Sequence, residues 1–225
     1  MDPNKEEKTL SVGFLNIYGQ TNFNQAKVNQ IEFLVKTNKI DILHLQETNI
    51  SEETFENSNY LKNNYQILFQ NNESGFGVCS LINNELETKN VLLHPSGRLI
   101  SFDVEDLTMI NVYLQSGNNQ FARNQREEFS GKILPNILLN SKRKGICGGD
   151  WNSIIQQEDC SHLPETKMSP SLKRLVALHK WKDCFRALHP KEKVYSHVYN
   201  RQNREGESDT DSFLFPANQG AAAHL

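Results

Sequence analysis

Apolar and polar positions follow two periods along this chain. Short apolar runs occur at 10–17, 40–45, 65–69, 77–82, 99–104, 109–114, 145–151, 194–199 and 213–215, bounded by clusters of Asn, Gly and Ser. Several alternate or are rich in β-branched and aromatic residues, which predicts strands. Three other segments carry the helical period. Residues 24–38 place Ile31, Leu34 and Val35 on one face, and 122–140 do the same with Phe129, Ile133, Ile137 and Leu138. Residues 169–181 repeat it with Leu172, Leu175, Val176 and His179, where Ser169-Pro170 supplies an N-cap and a first-turn proline. About nine strands and three or more helices, without strict β-α-β alternation, predict an α/β sandwich of two sheets with helices outside. No fixed-period repeat is present, so a solenoid is not expected.

Composition narrows the class. The 225 residues are 37% hydrophobic and 9% aromatic, enough for a core and too many for a disordered chain. No apolar run approaches the roughly 20 residues needed to cross a bilayer. Residues 1–9 are charged, with no apolar segment behind them that would make a signal peptide, and are expected to be disordered. An intracellular protein is expected, nuclear if its source is eukaryotic, without a membrane partner and as a monomer. Cys79, Cys147, Cys160 and Cys184 are scattered and read as free thiols, with neither a disulfide framework nor a zinc site. The net charge of -3 hides a split: residues 1–112 hold 8 Lys+Arg and 15 Asp+Glu (8 − 15 = -7), and residues 113–225 hold 16 and 12 (16 − 12 = +4). A basic second half can face a polyanion.

Candidate chemistry sits at the ends of the apolar runs. Asn16 follows 12–15, Gln46-Glu47-Thr48 follow 43–45, and Tyr113 closes Asn111-Val112-Tyr113. Gly149-Asp150-Trp151-Asn152 places a carboxylate and an amide two residues apart after Gly145-Ile146-Cys147, and Asp209 and Asp211 precede Phe213. A single strand-end Asn or Asp more often makes a turn. Five such ends together make one polar cleft, where ligands usually sit. Carboxylate and amide oxygens without Cys or paired His suit Mg²⁺ (or Mn²⁺), the usual partner of a phosphate group. Trp151 reads as a packing residue. His162, His179, His189 and His197 have no metal spacing, and Lys142-Arg143-Lys144 reads as a solvated helix end.

Leu15-Asn16, Leu45-Gln46-Glu47-Thr48, Asn111-Val112-Tyr113 and Gly149-Asp150-Trp151-Asn152 stand in an order and spacing that resembles the exonuclease III-like apurinic endonuclease family. That family belongs to the endonuclease/exonuclease/phosphatase superfamily. Asp183-Cys184-Phe185-Arg186-Ala187-Leu188-His189-Pro190 and Val194-Tyr195-Ser196 extend the likeness over about 10–216, and within the family the chain resembles most the endonuclease domains of non-LTR retrotransposons. The resemblance implies a DNase I-like, four-layered α/β sandwich over residues 10–216, acting on double-stranded DNA with Mg²⁺. It would nick a strand by in-line attack of water on phosphorus and leave a 3′-hydroxyl. Glu47 would bind the metal with Asn16 beside it. Asp150 would position or deprotonate the water, and Asn152 would hydrogen-bond the scissile phosphate. Tyr113 would lie against that phosphate, Ser196 would contact substrate, and Asp211 would be the carboxylate that orients a histidine.

Three departures from the family pattern shape the expectation. Asp209 and Thr210 stand where the family has a basic and an aliphatic residue before the position of Asp211. Leu114-Gln115-Ser116 replaces Ala-Pro-Asn. The closing Ser-Asp-His motif is absent, and the one late histidine, His224, follows three alanines in a stretch, 217–225, that reads as a tail. Impaired catalysis is therefore expected, with a catalytically inactive relic of a retrotransposon endonuclease as one alternative. Phosphatase chemistry on inositol phosphates or phospholipids is another.

Overall fold

The computed structural model describes residues 9–17, 24–140, 144–156, 167–190, 192, 197–202 and 208–213. Two four-stranded mixed sheets lie face to face. The first has the order β1-β2-β4-β3, from β1 (Val12–Asn16), β2 (Ile42–Thr48), β3 (Tyr65–Asn71) and β4 (Gly77–Asn83). The second has the order β5-β6-β7-β8, from β5 (Thr88–Leu93), β6 (Leu99–Val104), β7 (Leu107–Tyr113) and β8 (Lys144–Asp150). Each sheet contains one parallel pair, β1 with β2 and β7 with β8. Parallel neighbours need a crossover, normally helical. Helix α1 (Gln25–Asn38) supplies the first, and α3 (Gln120–Glu128) with α4 (Leu134–Asn140) supplies the second. A π-helical turn, Phe129–Ile133, joins α3 to α4. The short α2 (Asn59–Asn64), α5 (Pro170–Leu178) and α6 (Cys184–Leu188) complete the helices.

Three apolar clusters define the layers. Side chains alternate across a strand, and in β2 Leu43 and Leu45 join Val28, Ile31 and Val35 of α1, whereas Ile42 faces the other sheet. In β7, Ile110 and Val112 pack with Leu134, Leu138, Leu172 and Leu175 from the helices, whereas Met109 and Tyr113 face inward. Between the sheets lie Ile42, Val78, Ile82, Ile100, Phe102, Met109 and Tyr113. Helix, sheet, sheet and helix therefore stack as the four-layered α/β sandwich expected from the sequence.

Several boundaries differ from the sequence reading. Strand β5 went unread because its residues after Thr88 are exposed and its pairing with β6 slips between Lys89 and Leu92, which removes any clean alternation. The last two runs pair as β9 (His197–Gln202) and β10 (Ser208–Phe213), displaced from 194–199 and 213–215. Polar strands such as Ser208–Phe213 give no apolar signal. Lys144 opens β8 instead of ending a helix, and Lys142 and Arg143 lie outside the described residues. Trp151 is buried against the helical layer, as a packing residue should be. Cys79, Cys147 and Cys184 are free thiols. Among the described residues, no helix is long and apolar enough to cross a membrane.

Candidate active site

Both parallel pairs end at the same edge of the sandwich. Asn16 is in register with Gln46, the neighbour of Glu47, and Tyr113 is in register with Asp150. A hydrogen bond joins the two sheets at this edge: Asn16 Nδ2 donates to Asp150 Oδ2 at 2.8 Å, across 134 residues of chain. The other Asp150 oxygen, Oδ1, accepts from the backbone N–H of Asn152 at 3.0 Å. An ionised carboxylate only accepts, so Asn16 must present its amide nitrogen to Asp150. Asn152 Nδ2 donates to the Leu114 carbonyl at 3.1 Å. Asn16, Glu47, Tyr113, Asp150 and Asn152 thus share one end of the fold.

Backbone conformation at this end departs from ordinary strand geometry. Glu47 adopts φ 56° at a bulge where the β2–β4 register shifts between Gln46 and Thr48. By plain alternation Glu47 would follow Leu43 and Leu45 toward the helices; the bulge breaks that sequence at the one carboxylate of the strand. Asn152 adopts φ 46° and Gly149 φ 131°. Left-handed conformations at non-glycine residues cost of order 1–3 kcal/mol and gather at functional sites. At Gly149 a Cβ would lie 2.0 Å from the Val112 carbonyl oxygen, and at Gly148 one would lie 2.6 Å from the Phe14 ring. The two glycines before Asp150 are therefore fixed by close packing against β7 and β1.

Buried amides support the site from behind. Gln46 Nε2 donates to Asn111 Oδ1 at 2.7 Å, and Asn111 Nδ2 donates to the carbonyls of Leu45 (3.1 Å) and Cys79 (2.9 Å). Asn111 thus crosslinks the sheets and is fully buried. One layer deeper His44 Nδ1 pairs with Ser80 Oγ at 2.8 Å, with its ring between Phe14 and Phe102. Burial lowers the His44 pKa to about 3, so the ring is neutral.

Two arginines that the sequence reading passed over frame the cleft. Arg98 Nη1 donates to the Tyr113 carbonyl at 3.2 Å, Nη2 meets the Gln115 side chain, and Cζ lies 5.1 Å from the centre of the Tyr113 ring. Arg126 is 2% exposed, and its Nη1 donates to the carbonyls of Gln115 (2.8 Å) and Gly117 (2.7 Å). Burial depresses both guanidinium pKa values. For Arg126 the nearby Arg123 adds to this, and Glu127 and Asp150 oppose it. A sequence signal for Arg126 existed, since it lies with Ala122 and Phe129 on the apolar stripe of the helix.

The donor set at the cleft is all oxygen: Glu47, Asp150 and the Asn16 amide. Among the described residues no group of three or more His, Cys, Asp or Glu side chains forms a metal cage. A site of one or two carboxylates that leaves waters in place is the arrangement Mg²⁺ accepts. Tyr113 is nearly buried, at 3% exposure. Asp211 lies in β10 opposite Tyr199, and its side chain, like Ser196 and His224, lies outside the described residues.

No protein-family model matches the chain, and no curated protein matches it by sequence. Solved structures do. The chain is similar to an AP endonuclease from Archaeoglobus fulgidus, at 17% identity and TM-score 0.64 over 90% of this chain and 86% of that one. It is similar to the 3′-5′ exonuclease NExo from Neisseria meningitidis, at 17% identity and TM-score 0.66 over 88% of this chain and 81% of that one. A structure of the 3′ phosphatase NExo from Neisseria bound to product DNA hairpin matches at 16% identity and TM-score 0.66, over 88% of this chain and 80% of that one. At these identities the likeness is one of fold.

Proposed function

We propose that the protein is a Mg²⁺- or Mn²⁺-dependent phosphodiesterase that acts as a monomer on double-stranded DNA. It nicks one strand by in-line attack of water on phosphorus and leaves a 3′-hydroxyl. The observation that carries this reading is the Asn16–Asp150 hydrogen bond, which joins the ends of the two parallel strand pairs, where Glu47 and Asp150 supply carboxylates. The fold likeness to an AP endonuclease and to an exonuclease and phosphatase solved with DNA supports the substrate class.

The contacts are compatible with the following residue roles. Glu47 and the Asn16 amide oxygen would hold the cation. The chemistry supplied by the bound cation is neutralisation of charge on the phosphate oxygens and the leaving group. Asp150 is fixed by two hydrogen bonds, one on each oxygen, and in that orientation accepts the proton of the attacking water. Asn152, whose Nδ2 donates to the Leu114 carbonyl, would give its second amide hydrogen to the scissile phosphate. Tyr113, in register with Asp150, would lie against the phosphate.

A supercoiled-plasmid nicking assay tests the reading. Nicking should require Mg²⁺ or Mn²⁺ and fall by about 10²-fold or more in Glu47→Ala and Asp150→Ala. Nicking that persists in EDTA, or survives both substitutions, would overturn it.

A further inference from the structure

A buried arginine is costly unless its donors are satisfied, so the partners of Arg126 indicate its use. Both described hydrogen bonds leave one nitrogen, Nη1, for the carbonyls of Gln115 and Gly117. These belong to the segment 114–117 that follows β7 and forms no strand or helix. The start of that segment is sewn to the cleft twice: Leu114 N–H donates to the Asp150 carbonyl at 2.8 Å, and the Leu114 carbonyl accepts from Asn152 Nδ2. Arg126 therefore holds the far end of a short loop whose near end is the described anchor of the Asn152 side chain. Asn152 has a left-handed backbone, at φ 46°, and the described hydrogen bond of its side chain is the one to the Leu114 carbonyl.

We infer that Arg126 is a positioning residue for Asn152, clamping the 114–117 loop so that the Leu114 carbonyl keeps the Asn152 amide aimed into the cleft. The effect on turnover rests on the reading that Asn152 contacts the scissile phosphate; the effect on the amide does not. Arg98 also grips this segment, at the Tyr113 carbonyl and the Gln115 side chain. It leaves the Gln115 and Gly117 carbonyls to Arg126. Losing the guanidinium would orphan both carbonyls and release the loop. A displacement of about an ångström away from the chemistry can cost on the order of 10²-fold in rate.

The test is a double-mutant cycle with a spectroscopic arm. Arg126→Met should lower kcat for nicking on the order of tenfold to a hundredfold with little change in KM, because an amide–phosphate bond acts most in the transition state. Arg126→Lys, which keeps a donor, should recover part of the loss. In an Asn152→Ala background, Arg126→Met should cost almost nothing further, since residues acting through one another are strongly non-additive. Equal losses in both backgrounds would overturn the inference and mark Arg126 as a general structural residue. The Asn152 side-chain amide signals in a ¹⁵N–¹H spectrum give an answer without any activity: they should shift and exchange faster in Arg126→Met. Unchanged signals would refute the positioning role even if the protein cleaves no DNA. If Arg126→Met does not fold, Gly117→Ala keeps the arginine and strains only the loop. Its φ of 104° disfavours a side chain, while the nearest atom to an added Cβ, on Ala122, is 3.5 Å away. It should move the same amide signals and kcat in the same direction.

Discussion

His44 shows how much a single buried side chain can tie to solution conditions. Its ring is stacked on Phe14, and Nε2 has no partner among the described residues, so an added proton would find no acceptor. The folded pKa of about 3 lies below the ordinary value near 6.5. Between those values the unfolded chain binds a proton that the folded chain refuses, so stability falls as pH drops through that window. The loss should reach a few kcal/mol by pH 3. Thermal midpoints from pH 7 to 3 should show this limb, and a His44→Phe/Ser80→Ala variant should flatten it; an unchanged limb would assign acid lability to carboxylates instead. Gly149 makes a different demand. With Val112 O 2.0 Å from any Cβ, Gly149→Ala should cost at least about 3 kcal/mol in denaturant unfolding. Gly148→Ala should cost less, because the Phe14 ring it meets can tilt.

Elements are joined here by polar contacts as much as by apolar faces. The N-terminus of α5 is capped by Ser169 Oγ, which accepts from Leu172 N–H at 3.1 Å. The same hydroxyl donates to Glu127 Oε1 at 2.5 Å, and Ser171 N–H donates to Glu127 Oε2 at 3.0 Å. A carboxylate of α3 thus sits on the positive end of α5. The π-helical turn that follows Glu127 carries Gly131 past Ser171, where a Cβ would lie 3.1 Å from Ser171 Oγ. Ser169→Ala removes a cap and an interhelical bond together, and should destabilise by about 1–2 kcal/mol. Glu127→Gln should destabilise by less, since an amide oxygen still accepts one bond. Urea titration of both variants checks the order, and a larger effect at Glu127 would mean that the charge, not the cap, holds α5.

At the scale of the whole molecule, charge sets the terms of any encounter with DNA. The net charge of -3 opposes a polyanion, and the +4 of residues 113–225 is where counterions can be released. Affinity for duplex DNA should therefore be weak and fall steeply with salt. Titration between low and moderate ionic strength reads the slope; a flat response would point to a small phosphorylated substrate in place of DNA. The two sheets meet the same end of the fold through Gln46 and Asn111, fully buried amides that bridge them. Asn111→Leu would strand the Gln46 amide nitrogen and remove the bonds from Asn111 to the Leu45 and Cys79 carbonyls, and should loosen this end of the fold along with the core.

Local periodicity was enough to place most of β1 to β8, α1, the α3–α4 helix and α5, because a strand or helix buried on one face must alternate in step with its own geometry. Polar residues at strand ends, such as Asn16, Glu47 and Asp150, were visible to the same reading because each follows an apolar run. Exposed β5 and polar β10 carry no such contrast and were missed or displaced. What no local pattern could carry is the pairing of groups far apart in sequence. Asn16 meets Asp150 across 134 residues and Gln46 meets Asn111 across 65, contacts that exist only once two sheets have packed. The bulge that breaks alternation at Glu47, the left-handed turn at Asn152 and the carbonyl ligands of Arg126 belong to that same packing. They depend on which neighbours close around each residue, and a hydrogen bond between distant strands leaves no period in the chain that makes it.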